Sequence, residues 1–391
     1  MKLVRFRVLA MNSNIPHLDI LQSITCSPRS DHLSLAINLK VIPNKETIRL
    51  PFFGIWLLDL SNSMFDDNKY QAAISSLLEQ IRNLPDGTIF TLITFGDPVQ
   101  VVIDEKEINA ISRQDLLNSI QYLIPQGSTP LRDALDLALK RLRLYNGLLL
   151  TKKIIILGDG QPDWGCSSED IHENRFQRYM EYAHMAKEYG ASIDSIGIGN
   201  DHNVLLMYNF ALQSTGKFVF AEDAVELETK SQILTQQATQ ILHPNPILLM
   251  TPTVGSCKMY EAIQHKPTTI RFPFEKIGQN WKAWLRPFEA GEIYEFMLKL
   301  DYFFNPAAIS ATAPISILDF NLQLGDSVFT LKKELKLKFS DDPTQFRLNH
   351  SLMKQYNLLL NQADDINQLT IRGDASATQK IQGDETRKWD V

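Results

Sequence analysis

The sequence predicts an α/β fold: a doubly wound, mostly parallel sheet, inserted in or flanked by an antiparallel β-sandwich, with a helical C-terminal tail. Three observations carry this reading. Between residues 51 and 242, short apolar runs alternate with amphipathic stretches, as β-α units do. Beyond residue 243 the apolar period changes to two, and from about residue 345 the chain turns polar with helical spacing. At 391 residues the chain also exceeds the roughly 250–300 at which one core stops growing, so more than one domain is expected.

The elements follow in order. In residues 1–50, Leu33, Leu35, Ile37, Leu39 and Val41 alternate with Ser34, Ala36, Asn38 and Lys40, which suits a half-buried strand. Such a strand needs a sheet to join, and the sandwich built from residues 243–344 is the expected one. In residues 51–242, strands are expected at 55–58, 88–95, 99–103, 154–157, 192–198 and 217–220, mostly apolar runs suited to burial on both faces. Helices are expected at 69–83, 112–123, 130–145, 175–189, 203–214 and 225–241. In the third helix Leu131, Leu135, Ala138 and Leu142 form one stripe, with Pro130 suited to its first turn and Thr129 to its cap. A linker, His243-Pro244-Asn245-Pro246, precedes the change of period. Tyr294, Phe296, Leu298, Leu300 and Tyr302 then alternate with polar residues, as do Leu331, Leu335, Leu337 and Phe339. In the tail (345–391), Gly373-Asp374 and Gly383-Asp384 each read as a helix stop followed by a cap, which also accounts for the Arg372-Gly373-Asp374 tripeptide.

Composition narrows the function. Thirty-nine Lys and Arg against 45 Asp and Glu give a formal charge of −6, the wrong sign for binding nucleic acid by bulk charge. The three cysteines, Cys26, Cys166 and Cys257, stand far apart, which fits a reducing compartment. No apolar run approaches the roughly 20 residues of a membrane helix. Arg5 and Arg7 interrupt any N-terminal apolar region, so a cytoplasmic protein without membrane contact is expected.

One constellation carries chemistry. A strand leads into Asp59-Leu60-Ser61-Asn62-Ser63, Gly127-Ser128-Thr129-Pro130 opens a helix, and Leu157-Gly158-Asp159-Gly160 ends another strand. All three belong at the carboxyl ends of parallel strands, where open α/β sheets bind ligands. Asp59, Ser61, Ser63, Thr129 and Asp159 offer hard oxygen donors, suited to Mg²⁺, Mn²⁺ or Ca²⁺ rather than Zn²⁺. Two carboxylates balance a divalent cation, and a six-coordinate ion with five or fewer protein donors keeps a position open for an outside carboxylate. The alternative is that Asp59 and Asp159 cap helices while the hydroxyls satisfy loop backbone groups.

The constellation resembles the metal-ion-dependent adhesion site of von Willebrand factor A domains over about residues 53–242. By that resemblance Ser61, Ser63 and Thr129 contact the metal directly, and Asp59 and Asp159 do so directly or through water. The Thr that usually precedes the last Asp is Gly158 here. Asp66 and Asp67 admit two readings: they resemble the adjacent second metal site of integrin β subunits, or they cap the helix near Lys69. Asp163 and Trp164 either line the rim where a partner docks or anchor a loop. The whole layout is similar to stand-alone bacterial A-domain proteins and to the core of inter-α-trypsin inhibitor heavy chains and chloride-channel regulators.

The leading expectation is therefore a non-enzymatic adaptor whose cation recruits an Asp or Glu of a protein partner. Resemblance adds a MoxR-type AAA ATPase as a partner class, with roles in bacterial conflict or defence. Two alternatives stand beside it. One is a Mg²⁺-dependent hydrolase or phosphotransferase with Asp59 as nucleophile and Arg132 or Lys152 as phosphate anchor. The other is an assembly protein latched through the metal site. No HExxH, GxSxG or GxxxxGK[ST] pattern points to other catalysis.

Overall fold

A computed structural model describes residues 17–21, 25–26, 32–43, 49–146, 150–159, 172–199, 203–305, 314–324, 329–339 and 350–372. The chain opens with β1 (His17–Leu21), β2 (Thr25–Cys26) and β3 (His32–Ile42). The α/β segment follows: β4 (Phe53–Asp59), a 3-10 turn (Asn62–Asn68), α1 (Lys69–Asn83), β5 (Ile89–Phe95), β6 (Gln100–Glu107), α2 (Ala110–Ile120) and α3 (Leu131–Leu144). It continues with β7 (Lys152–Gly158), α4 (His172–Glu188), β8 (Ala191–Ile198), α5 (Val204–Gln213), β9 (Phe218–Ala221) and α6 (Ala224–Thr239). Then come β10 (Ile241–His243), β11 (Ile247–Pro252), β12 (Ser256–Lys266), β13 (Ile270–Arg271), β14 (Phe274–Ile277) and β15 (Asn280–Trp284). The last elements are β16 (Phe288–Glu289), β17 (Tyr294–Phe303), β18 (Ile315–Leu324), β19 (Phe329–Phe339) and α7 (His350–Arg372).

The α/β segment forms a six-stranded sheet in the order β6-β5-β4-β7-β8-β9. Every neighbouring pair is parallel except β5 with β6. Strand order therefore reverses at β4, and the crevice between β4 and β7 is the topological switch point. The residues of β4 are all buried, as its unbroken apolar run requires. Phe53, Ile55 and Leu57 pack on one face with α3, α4 and α5. Trp56 and Leu58 pack on the other with α1, α2 and α6. Trp56 Nε1 and Thr235 Oγ1 both donate to Gln80 Oε1, at 2.9 and 3.0 Å, tying β4, α1 and α6 together.

Two further sheets have the orders β1-β3-β17-β12-β13 and β14-β15-β11-β18-β19-β2. They share one core that includes Ile37, Leu39, Leu248, Phe296, Leu298, Phe320 and Leu322. β3 pairs antiparallel with β17 from Val41 opposite Tyr294 to His32 opposite Phe303, so strands from before and after the α/β segment share one sheet. All strand pairs in these two sheets are antiparallel except the short β2–β19 contact. α7 lays Tyr356, Leu359 and Ala363 against Ile263 and Met297, while its Ile366 reaches the α3–α5 face of the α/β core. Gly373, Asp374, Gly383 and Asp384 lie outside the described residues. No helix among the described residues is long and apolar enough to cross a membrane.

The helix that follows Thr129 starts at Leu131 with Pro130 in the capping position and no side-chain cap. Proline's fixed φ and missing N–H suit this position, one residue later than the cap expected at Thr129.

His265 gives the fold a pH dependence. Its buried ring nitrogens make no hydrogen bond, and Glu295 stands 3.6 Å away. Burial pushes the imidazole down to about 4, only partly offset by Glu295 and reinforced by Lys266. Its folded pKa lies below the unfolded value, so its stabilising share is full above about pH 6.5 and is lost as pH falls toward 4. Between pH 7 and pH 4.5, His265→Phe should lose about 1–3 kcal/mol less unfolding free energy than wild type in urea titrations. Parallel losses in the two proteins would refute this assignment.

Candidate metal centre

The first loop leaves β4 at Asp59. The Ser61 backbone N–H donates to Asp59 Oδ1 at 2.9 Å, and the Ser61 and Ser63 hydroxyls lie 3.0 Å apart in a shared hydrogen bond. Asp59 is fully buried and Ser61 nearly so. Asp159, at the end of β7, is equally buried and faces Asp59 across the switch point. Burial first, then the Asp159 charge, push the Asp59 carboxyl up to about 7, against the lowering hydrogen bonds from Ser61. Asp59 Oδ2 is buried and accepts no hydrogen bond.

Gly158 makes this approach of two strands possible. A Cβ there would lie 2.4 Å from Asp59 Cβ and 2.7 Å from its Oδ2. The Gly that departs from the common pattern is thus the surface against which Asp59 packs.

The loop carrying Thr129 is docked by backbone hydrogen bonds. Gln126 N–H donates to Leu60 O at 2.7 Å, and Asp97 N–H donates to Gln126 O at 2.9 Å. Asn62 closes a two-way clamp: its N–H donates to Gly127 O at 3.0 Å, and its Oδ1 accepts the Gly127 N–H at 3.1 Å. Gly127 has φ +83°, and a Cβ there would sit 2.2 Å from Asp97 Cβ, so glycine is required on both counts. Thr129, 6% exposed, stands two residues beyond this clamp.

Asp59, Ser61, Ser63 and Asp159 are thus brought together directly, and Thr129 through the loop that Asn62 holds. Asn62 is a positioning residue that motif spacing did not reveal, since it stands between Ser61 and Ser63 with no role in the donor pattern. Asp66 is exposed on the 3-10 turn; the Asp67 side chain lies outside the described residues. The residue that precedes α1 is Asn68, in the left-handed region with φ 59° and no side-chain cap of its own. Asp163 and Trp164 also lie outside the described residues. The two phosphate-anchor candidates are engaged elsewhere. Lys152 opens β7, at the end of the strand away from Asp159, and donates to Tyr189 O at 3.0 Å, while Arg132 is hydrogen-bonded to Tyr182. Large apolar side chains flank the site in sequence: Phe65 is 54% exposed, and Tyr122 and Ile124, on the segment leading to Thr129, are 77% and 68% exposed.

The donor set is entirely oxygen. Among the described residues no group of three or more His, Cys, Asp or Glu comes together. Two facing carboxylates, an acceptor without a donor and adjacent hydroxyls fit a hard divalent cation.

A family profile for the von Willebrand factor type A domain matches residues 55–234. No curated protein sequence matches the chain. Among solved structures, the chain is similar to a von Willebrand factor type A protein from Catenulispora acidiphila, with 15% identity, TM-score 0.72, and 90% of this chain and 79% of that one covered. It is also similar to the ArnB paralog VWA2 from Sulfolobus acidocaldarius, with 15% identity, TM-score 0.60, and 94% and 87% of the two chains covered. A third likeness is to the human COPII-coat protein Sec24c, with 9% identity, TM-score 0.53, and 88% of this chain against 53% of that one covered. At these identities the likeness is one of fold.

Proposed function

We propose that this chain, whose middle segment is a von Willebrand factor type A domain, is a metal-dependent protein-binding adaptor. Asp59, Ser61, Ser63, Thr129 and Asp159 would hold a divalent cation, Mg²⁺ first among the hard ions, that recruits an Asp or Glu of a protein partner. The observation that carries this reading is the buried Asp59–Asp159 pair. The two acids face each other with an Asp59 oxygen that accepts no hydrogen bond, an arrangement that a cation neutralises and that protein groups alone leave costly. When bound, the cation supplies the positive charge and an open coordination position for the partner's carboxylate. Exposed Phe65, Tyr122 and Ile124 offer the apolar contacts that a protein interface needs around such a charged centre. A MoxR-type AAA ATPase remains the partner class suggested by family resemblance. A binding module is favoured over an enzyme because Arg132 and Lys152, the basic groups a phosphoryl-transfer reading needs near the acids, are committed elsewhere.

The test is Thr129→Ala. This variant should keep the fold, lose Mg²⁺-induced thermal stabilisation through a metal affinity lower by about tenfold or more, and fail to retain partners that wild type retains in Mg²⁺ and releases in EDTA. Equal stabilisation and retention by the two proteins, or retention by wild type in EDTA, would sink the mechanism.

A further inference from the structure

A second site lies at the far end of the same sheet. A cavity of about 410 Å³ opens between α5, β9 and α6 on one side and the segment from Pro267 to Tyr294 on the other. Lys153 lines it, six residues along β7 from Asp159, which at about 3.3 Å per residue puts the two sites roughly 20 Å apart. The volume falls within the range of small-molecule sites.

The charges around the cavity can be followed one by one. The Lys153 ammonium is held by both oxygens of Asp194, at 2.9 and 2.7 Å. Lys217 pairs with Glu289, and Lys230 with Glu226. Glu292 also faces the space; burial first, and then the Glu289 charge, push its carboxyl up. Arg286 differs from the other cations. Its Nη1 donates to Thr268 Oγ1 at 3.0 Å, but its Nε is buried and donates to nothing. The acids whose charge it feels, Asp194 and Glu289, are already engaged by lysines. Among the described residues none lies within ion-pair distance of the guanidinium. Arginine keeps its charge even when burial disfavours it, so an enclosed positive fork is left without a counterion.

We infer that this cavity is a binding site for a small amphipathic anion, whose carboxylate or phosphate head engages Arg286 and whose apolar body fills the remaining space. A planar guanidinium with free donors matches both heads in bidentate geometry. Ala211, Phe218, Val219, Leu234, Pro267 and Pro287 supply an apolar wall for the body. The Tyr208 ring lies on that wall as well, and the Tyr294 hydroxyl is used up in donating to Pro287 O at 3.0 Å. The site draws on both the α/β segment and the sandwich, so its ligand would bridge them. It uses none of the residues assigned to the metal centre.

Calorimetric titration of the full chain tests this with three probes of one shape: phenylacetate, phenyl phosphate and the neutral phenylacetamide. At least one anion should bind saturably, and the amide about tenfold more weakly or not at all; which anion binds tells the head group. Arg286→Met should weaken anion binding by about tenfold or more while leaving the ligand-free protein as stable as wild type or more so, because an unpaired buried charge has gone. Ile233→Trp, at a lining position 49% exposed, should narrow the mouth and weaken binding without touching Arg286. It decides the question if Arg286→Met does not fold. Asp59→Asn should bind the anion as wild type does, which separates this site from the metal reading. Absence of saturable binding by both anions, equal binding of the amide, or wild-type affinity in the folded Arg286 or Ile233 variants would overturn the inference.

Discussion

Asp59→Asn is expected to make the metal-free protein more stable while abolishing its response to divalent cations. The substitution is nearly isosteric. The Ser61 N–H that reaches Asp59 Oδ1 at 2.9 Å can donate to the Asn oxygen in the same way. The other branch of the side chain, Oδ2, now accepts nothing and faces the charge of Asp159. An Asn NH₂ there turns a repulsion between two buried acids into a hydrogen bond with the remaining one. At pH 8, above the value of about 7 to which Asp59 is pushed, the gain should be about 1–3 kcal/mol in EDTA, or several degrees in Tm. In saturating Mg²⁺ the order should reverse. Wild type gains about 4.1 kcal/mol when the metal stands at about a thousand times its Kd, which exceeds the variant's lead in EDTA, and the variant gains nothing. Thermal unfolding of both proteins, each with EDTA and with Mg²⁺, gives the four numbers needed. A destabilised variant in EDTA would mean that the two acids serve the fold rather than a ligand, and an unshifted wild type in Mg²⁺ would remove the cation from the account.

The sequence made this site legible because its residues carry strong local signals. An apolar run ending in Asp-x-Ser-x-Ser, a Gly-Ser-Thr-Pro helix start and a second apolar run ending in Gly-Asp each announce a strand end or loop. The repeated β-α pattern places those ends on one edge of the sheet. What was not legible depends on contacts between segments far apart in sequence. Asn62 looks like a filler between two serines until the loop of Gly127 is laid beside it. Gly158 reads as a lost threonine until its missing Cβ is seen to make room for Asp59. Thr129 offers a hydroxyl both to a helix cap and to a metal, and the structure puts Pro130, not Thr129, in the capping position before Leu131. Arg286 gives no signal at all in the sequence, since an arginine in a polar-apolar alternation is ordinary. Its meaning arises from a cavity formed by separate segments, one ending at Gln237 and another beginning at Pro267.

Lys153→Met should be among the most destabilising single changes in the α/β segment. Lys153 and Asp194 sit on adjacent strands β7 and β8, with side chains only 3% and 2% exposed. The ammonium reaches both carboxylate oxygens, and Asp194 Oδ1 also accepts the Lys217 N–H at 2.9 Å. Removing the lysine charge leaves a buried carboxylate with that single backbone donor, which should cost about 3–5 kcal/mol. The cost belongs to the abandoned acid more than to the lost pair, and a second substitution can demonstrate this. Adding Asp194→Asn to Lys153→Met keeps an oxygen for the Lys217 N–H and removes the uncompensated charge. The double variant should therefore recover most of the loss, although it has no ion pair at all. Urea unfolding of wild type, the single variant and the double variant separates the two contributions. If the double variant is as unstable as the single one, the lysine's packing between the strands sets the cost. If the single variant is within about 0.5 kcal/mol of wild type, Asp194 finds another donor or takes up a proton, and the pair is not what holds β7 to β8.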